Sequence, residues 1–156
     1  MEPRPVQRGP ASGRRQGIVS ATQHCERMPP DIEILLLRLI GGDATAPGEI
    51  LDRARTNDSP TLLVAAALVT DQPTEPAGYL ARAARHAATT RDRQLVAIAA
   101  SYLDDDPDRL DALVRDHLSD HPDNILAAWI ASQRTQTDLL KQREEQRDVR
   151  DTFEQS

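Results

Sequence analysis

The feature that most limits how this chain can fold is a regular spacing of residues suited to helix starts. Proline is favoured in the first turn of a helix, where its missing N–H group has no intrahelical partner to lose. Ser59-Pro60 and Asp106-Pro107 also place a capping residue before the proline. Two series of such starts recur at intervals of 29 to 31 residues: Pro47, Pro76 and Pro107, and Pro60, Arg91 and Pro122. The spacing predicts short helices joined by tight connections.

Apolar residues follow both series in helical patterns. Three and seven positions beyond the prolines of the first series, the residues share one helix face: Ile50, Ala54, Tyr79, Ala83, Leu110 and Val114. In the second series, residues 62–68, 95–100 and 125–130 are apolar on most sides, as in helices that lie between neighbours. A two-helix unit recurring about every 30–34 residues is typical of an α-solenoid. We therefore predict an all-α fold.

Composition divides the chain into three regions. Residues 1–28 hold five arginines against two glutamates and are interrupted by proline and glycine, which predicts a disordered basic tail. Residues 29–135 form the predicted helical domain, beginning with an apolar helix over 31–40. Residues 136–156 form a mostly polar region whose large apolar residues are Leu139, Leu140, Val149 and Phe153. These four residues are too sparse for an independent coiled coil. We expect a helix extending from the last hairpin, or a polar tail.

Several segments resemble the tetratricopeptide repeat. Residues 91–124 have its length of 34 residues, and residues 113–124 are similar to its closing helix and Asp-Pro-Asn-Asn turn. Residues 125–130 resemble the opening of the next repeat. Residues 81–93 and the turn at 103–110 resemble the Ala-, Arg- and Asp-rich bacterial members of the tetratricopeptide-repeat protein 38 family.

The resemblance covers roughly residues 45–135 and implies a short, right-handed superhelix of antiparallel helix hairpins, with about seven helices. It also implies a noncatalytic protein-interaction module, a scaffold or adaptor without a cofactor. In such repeats, ligands usually bind the concave face lined by the first helix of each pair. By this analogy, the peptide-contacting residues are Gln94, Tyr102, Trp129 and Gln133. Tyr102 and Trp129 are equally suited to the core.

The histidines offer an alternative function. His117 and His121 are four residues apart, a spacing that places both on one helix face and can grip a metal ion. Asp120 lies between them in sequence, and His86 could approach from the preceding hairpin. The alternative is therefore a small metal-binding or metal-dependent hydrolytic domain. Pro122, however, predicts that the helix ends near Asp120, where histidines commonly interact with the helix C-terminus.

Charge and composition exclude several classes of protein. The net charge of −6 and the pI near 5.2 argue against a protein that mainly holds nucleic acid. The sequence lacks the roughly 18 consecutive apolar residues of a membrane helix. Cys25, the single cysteine, can form no internal disulfide. We expect a soluble cytoplasmic protein that binds a protein or peptide, or pairs with itself through the exposed end of the solenoid.

Overall fold

Seven α-helices make up the part of the chain that the structure describes. The computed structural model describes residues 29–154, with side chains described as far as Arg147. The helices are α1 (Pro30–Ile40), α2 (Ala46–Ala54), α3 (Pro60–Val69), α4 (Glu75–His86), α5 (Thr90–Leu103), α6 (Pro107–Asp120) and α7 (Ile125–Glu154). No strand occurs among these residues, so the predicted all-α fold with seven helices is confirmed. The predicted basic tail, residues 1–28, lies outside the described residues.

Proline begins four of the helices as the spacing predicts. Pro47, Pro60, Pro76 and Pro107 lie in the first or second position of α2, α3, α4 and α6. The predicted start at Pro122 is wrong, because α7 begins three residues later. Its N-cap is Asn124, whose side-chain oxygen accepts a hydrogen bond from a backbone N–H in the first turn of α7 at 3.2 Å.

Side-chain caps fix the starts of α5 and α6. The Thr89 hydroxyl accepts a hydrogen bond from the Asp92 backbone N–H, and the Asp92 carboxylate accepts one from the Thr89 backbone N–H, both at 3.1 Å. This reciprocal pair is a capping box, and it starts α5 one residue before the predicted Arg91. Asp106 caps α6 by accepting a hydrogen bond from the Arg109 backbone N–H at 3.2 Å.

Helix α3 lies at the centre of the packing. Residues 62–67 are fully buried, as expected for a helix that is apolar on every side. It packs against α2, α4 and α5, and α5 in turn packs against α4, α6 and α7. Leucine, isoleucine, valine and alanine fill the core, while Trp129 and both tyrosines are only partly buried against it. The first helix, α1, packs against both α2 and α7, so the first and last of the described helices are in contact.

Helices α1 and α5 end with the same backbone motif. After α1, the Gly42 and Asp43 N–H groups bond the Leu39 and Arg38 carbonyls, and Gly42 has φ 81°. After α5, Asp105 takes the position of Gly42 with φ 53°, and the N–H groups of 105 and 106 bond the carbonyls of 102 and 101. This is the Schellman motif, which favours glycine in the left-handed position.

Helix α7 is 30 residues long and crosses the predicted boundary between 135 and 136 without a break. Arg134 holds it to the α5–α6 turn through an ion pair with Asp105, and the Arg134 Nε atom lies 3.2 Å from the Asp138 carboxylate. Every residue from 139 to 147 is exposed. None of the described helices is both long enough and apolar enough to cross a lipid bilayer.

Candidate functional site

A buried polar cluster joins α5, α6 and the start of α7, and two of its three members were singled out in the sequence. His117 comes from the last turn of α6 and is fully buried. Gln94 reaches it from the first turns of α5, and Asn124 from the N-cap of α7. His121 lies just beyond α6, with its ring centroid 5.0 Å from that of His117. We call His117, Gln94 and Asn124 the His117 cluster.

The hydrogen bonds of the His117 cluster run in one direction. The Asn124 oxygen is occupied in capping α7, so its Nδ2 group faces His117 and donates to Nε2 at 2.7 Å. The accepting Nε2 atom then carries no proton, which leaves Nδ1 as the protonated ring nitrogen. Nδ1 donates to Gln94 Oε1 at 2.9 Å. The cap of α7 therefore fixes both the tautomer of His117 and the orientation of two amides.

Burial holds His117 in its neutral form. Desolvation is the largest cause that lowers the pKa of His117 below its ordinary value of 6.5, and the nearby His121 and Arg91 lower it further. The carboxylates of Asp120 and Asp123 oppose this shift. Arg91 pairs with Asp123 at 3.2 Å across the edge of the cluster. A protonated ring would also carry a proton on Nε2. That N–H group would face the amino group of Asn124, which is itself a donor, so the hydrogen bond between them would be lost.

The geometry of the histidines argues against the metal-binding alternative. Both ring nitrogens of His117 are engaged in hydrogen bonds, so neither offers a lone pair to a metal ion. His121 lies beyond the helix as predicted, Asp120 is exposed, and His86 faces Asp58 at 3.7 Å. Within the described residues, no three His, Cys, Asp or Glu side chains come together in a group that could hold a metal.

The four predicted peptide-contacting residues have different surroundings. Gln94 is half-buried and supports His117. Tyr102 and Trp129 are partly buried against the core, the alternative the sequence left open, and Gln133 is half-buried on α7. The structure gives Gln94 a structural partner, whereas the binding role of all four stays a prediction.

Sequence reasoning missed Asn124 altogether. It took Pro122 as the helix start, although an asparagine directly before the apolar residues Ile125 and Leu126 is a standard N-cap signal. The contact between His117 and Gln94 arises from tertiary packing, and no local pattern signals it.

A second polar cluster joins α1 to α2 at the surface. Both guanidinium amino groups of Arg38 donate to the Glu49 carboxylate at 2.8 Å, and its Nε atom donates to Asp43 at 2.8 Å. The backbone N–H of Thr45, its hydroxyl and then Arg38 lower the pKa of Asp43 to about 2. Arg38 likewise lowers the pKa of Glu49. We call these four residues the Arg38 cluster; its charged side chains are a third or more exposed.

An open groove runs along the outer side of α4. It is shallow and open to solvent, with a volume of about 710 Å³, and its lining comes from one helix alone: Thr74, Glu75, Gly78, Tyr79, Ala81, Arg82 and Arg85. At Gly78, a Cβ atom would meet nothing within 4 Å, so the backbone lies open to an approaching chain. Arg82 is fixed in place by hydrogen bonds to the Ala54 carbonyl and Asp58 at 2.8 and 2.7 Å. We call this surface the α4 groove.

Comparisons with known protein families, curated proteins and solved structures give no significant match. The resemblance to tetratricopeptide repeats therefore depends on the segments quoted above. The fold and the polar clusters together define a small helical protein whose buried histidine holds helices together.

Proposed function

We propose that this protein is a noncatalytic protein-interaction module with a short tetratricopeptide-like superhelix. The observation that carries the proposal is the serial packing of α3 on α5 and α5 on α7, with α4 and α6 each packed between two of these helices. Stacked helix pairs of this kind present long surfaces for peptides or partner helices. The family resemblance, carried by residues 81–130, supports the same function.

Two surfaces are candidates for partner binding. The α4 groove is open, has an exposed glycine backbone, and has Arg85 and Tyr79 in its lining together with Glu75. Arg85 can pair with an acidic side chain of a bound peptide. The other surface is the α5–α7 side with Tyr102, Trp129 and Gln133. Partly exposed aromatic residues on neighbouring helices are frequent anchors in protein interfaces.

The same proposal includes a cytoplasmic location. A single cysteine fits a reducing compartment, where disulfides contribute little to stability. The acidic net charge of −6 also suits a protein partner better than nucleic acid.

Affinity capture from native lysate tests the function when the bait is compared with surface variants. Ala81→Arg blocks the α4 groove, Gln133→Arg alters the α5–α7 side, and Ala84→Arg is the matched control on α4. Ala81 and Ala84 are both exposed, but only Ala81 lines the groove. We expect the wild type and Ala84→Arg to capture the same partner protein. Either Ala81→Arg or Gln133→Arg should fail to capture it, and the variant that fails identifies the binding surface. If all baits capture the same background proteins, the proposed function is wrong.

A further inference from the structure

Helix α1 connects the two ends of a row of helices. Within the row, α2 packs on α3, α3 on α5 and α5 on α7. Helix α1 packs on both α2 and α7, although α3 and α5 lie between these two along the row. A helix that contacts both ends of the row lies across it. We call the surface of α2 and α7 that α1 covers the α1 site, and Glu49 of α2 lies at its edge.

The side of α1 that faces the domain has the residue spacing of a helix bound in a groove. Ile32, Leu35 and Leu36 are at most 2% exposed, and Leu39 is partly buried against the same core. These positions are i, i+3, i+4 and i+7, the spacing with which an amphipathic helix binds in the groove of another protein. Helix α1 therefore contacts its own domain in the way that a separate peptide helix would.

A polar contact fixes the position of α1 along the site. Two residues beyond Leu36, both guanidinium amino groups of Arg38 donate to the Glu49 carboxylate at 2.8 Å. A two-point pair of this kind selects arginine at one position and in one orientation. Because Glu49 belongs to α2, its carboxylate stays with the site when α1 leaves. The site therefore favours a helix with arginine six residues after its first apolar anchor.

The attachment of α1 is weaker than that of the central helix. Helix α1 has three buried side chains, whereas α3 has six in succession. Residues 41–45 join α1 to α2, and Gly42 in this turn has φ 81°. An element with few buried apolar side chains opens locally at a lower free energy than the whole domain. We therefore expect α1 to leave its site while α3 stays packed.

We propose that the α1 site binds an amphipathic helix of a partner protein and that α1 occupies this site until the partner helix displaces it. The partner helix carries large aliphatic residues at i, i+3, i+4 and i+7 and arginine at i+6. This inference rests on the proposed function, because it names the class of partner. The short turn holds α1 near its site at an effective concentration on the order of millimolar. The apparent affinity for the partner is therefore reduced by the fraction of chains in which α1 is bound.

Two adjacent leucines of α1 provide the test. Leu36 is fully buried, whereas Leu37 is 51% exposed. Leu36→Asp weakens the docking of α1 and frees the site, and Leu37→Asp is the matched control. The probe is a fluorescent peptide of residues 30–41 with Ile34→Lys and Leu37→Glu, two exposed positions changed for solubility. Fluorescence anisotropy measures its binding to each full-length chain.

We expect the peptide to bind Leu36→Asp at least about tenfold more tightly than the wild type and to bind Leu37→Asp as weakly as the wild type. Circular dichroism verifies that each variant keeps its helices. Equal binding to all three chains, or no binding to a folded Leu36→Asp chain, overturns the proposal.

The arginine contact is tested with a second peptide that carries Arg38→Gln. It should bind the Leu36→Asp chain about fivefold more weakly than the first peptide. Adding Glu49→Gln to that chain should remove the difference between the two peptides. A difference that persists without the Glu49 carboxylate contradicts the proposed arginine selection.

Hydrogen–deuterium exchange of the wild type tests the release of α1 without any substitution. We expect the amides of α1 to exchange at least about tenfold faster than those of α3. Equal exchange rates would mean that α1 opens only with the whole domain, and the proposal would be wrong. The lysate capture does not use the peptide, so the two failures can be distinguished. A partner that is captured while the peptide binds no folded chain refutes the α1 site alone.

Discussion

The His117 cluster and the Arg38 cluster each join the end of one helix to the start of the next, but they differ in burial and charge. Arg38 binds two carboxylates that remain partly exposed to water. His117 is fully buried and is held by two neutral amides. Water screens the ion pairs of the first cluster, so each contributes little to stability. The second cluster loses stability when His117 or Asn124 is left unsatisfied, because both residues are buried away from water.

Protonation also acts on the two clusters in different pH ranges. The lowered pKa of Asp43 means that its carboxylate stabilises the fold at neutral pH and that this stability is lost as pH falls from 3.8 toward 2. For His117, the native state prefers the neutral ring. As pH falls below 6.5, the unfolded chain takes up the proton first, and the free energy of unfolding decreases. The buried cluster is thus the first to fail in mild acid.

Removing the buried ring is expected to have the largest effect. His117→Ala leaves a cavity and strands the Asn124 amino group and the Gln94 oxygen, for a loss of about 3 kcal/mol. Urea denaturation at neutral pH measures this loss. The control is His86→Ala, an exposed histidine for which we expect a change below about 0.5 kcal/mol. Equal losses from the two substitutions would show that the His117 cluster does not stabilise the fold.

Mild acid should have the next largest effect. The free energy of unfolding of the wild type is expected to fall between pH 6.5 and about pH 5.5 by at most about 1.4 kcal/mol per pH unit, the limit for one proton. His117→Gln should reduce this slope, because it removes the buried titrating group. Urea denaturation across that range checks both chains. A slope that is unchanged in His117→Gln would assign the acid sensitivity to other groups.

Asn124→Asp should convert the buried cluster into a charged one and weaken its response to acid. The aspartate still caps α7, but it presents an acceptor to His117 Nε2, which favours the protonated ring. We expect the pKa of His117 to rise above its wild-type value, which an NMR titration of the ring protons measures. A pKa that stays low would mean that desolvation outweighs the new carboxylate.

Arg38→Gln should have the smallest effect. Its partners remain in water, so the denaturation midpoint is expected to change far less than in His117→Ala. The change should be smaller still in molar salt, which screens the ion pairs. Thermal unfolding at low and high salt measures this. A loss as large as that of His117→Ala would contradict the contrast between the two clusters.

Local patterns in the sequence were enough to predict the helices but not the buried cluster. Pro47, Pro60, Pro76 and Pro107 act within their own helices, so their effect can be read from sequence alone. The start predicted at Pro122 was wrong because proline and asparagine are both signals for a helix start. Helix α7 begins after Asn124, which caps it and also bonds the buried His117. The extension of α7 was one of two states that composition left open.

The contact between His117 and Gln94 depends on how α5 and α6 pack, across 23 residues of sequence. The i, i+4 spacing of His117 and His121 suggested a shared metal, yet it is the next helix that occupies the ring nitrogens. A buried histidine and a metal-binding histidine look the same in a sequence until their neighbours in the fold are known.

The two-sided role of Asn124 also bears on how this protein can change over generations. Serine at this position would still cap α7 but would be too short to reach the ring, and leucine at 117 would leave both amides without a partner. Positions 94, 117 and 124 are therefore expected to be replaced together rather than one at a time, so a chain that has lost one member of the trio should have exchanged the other two as well.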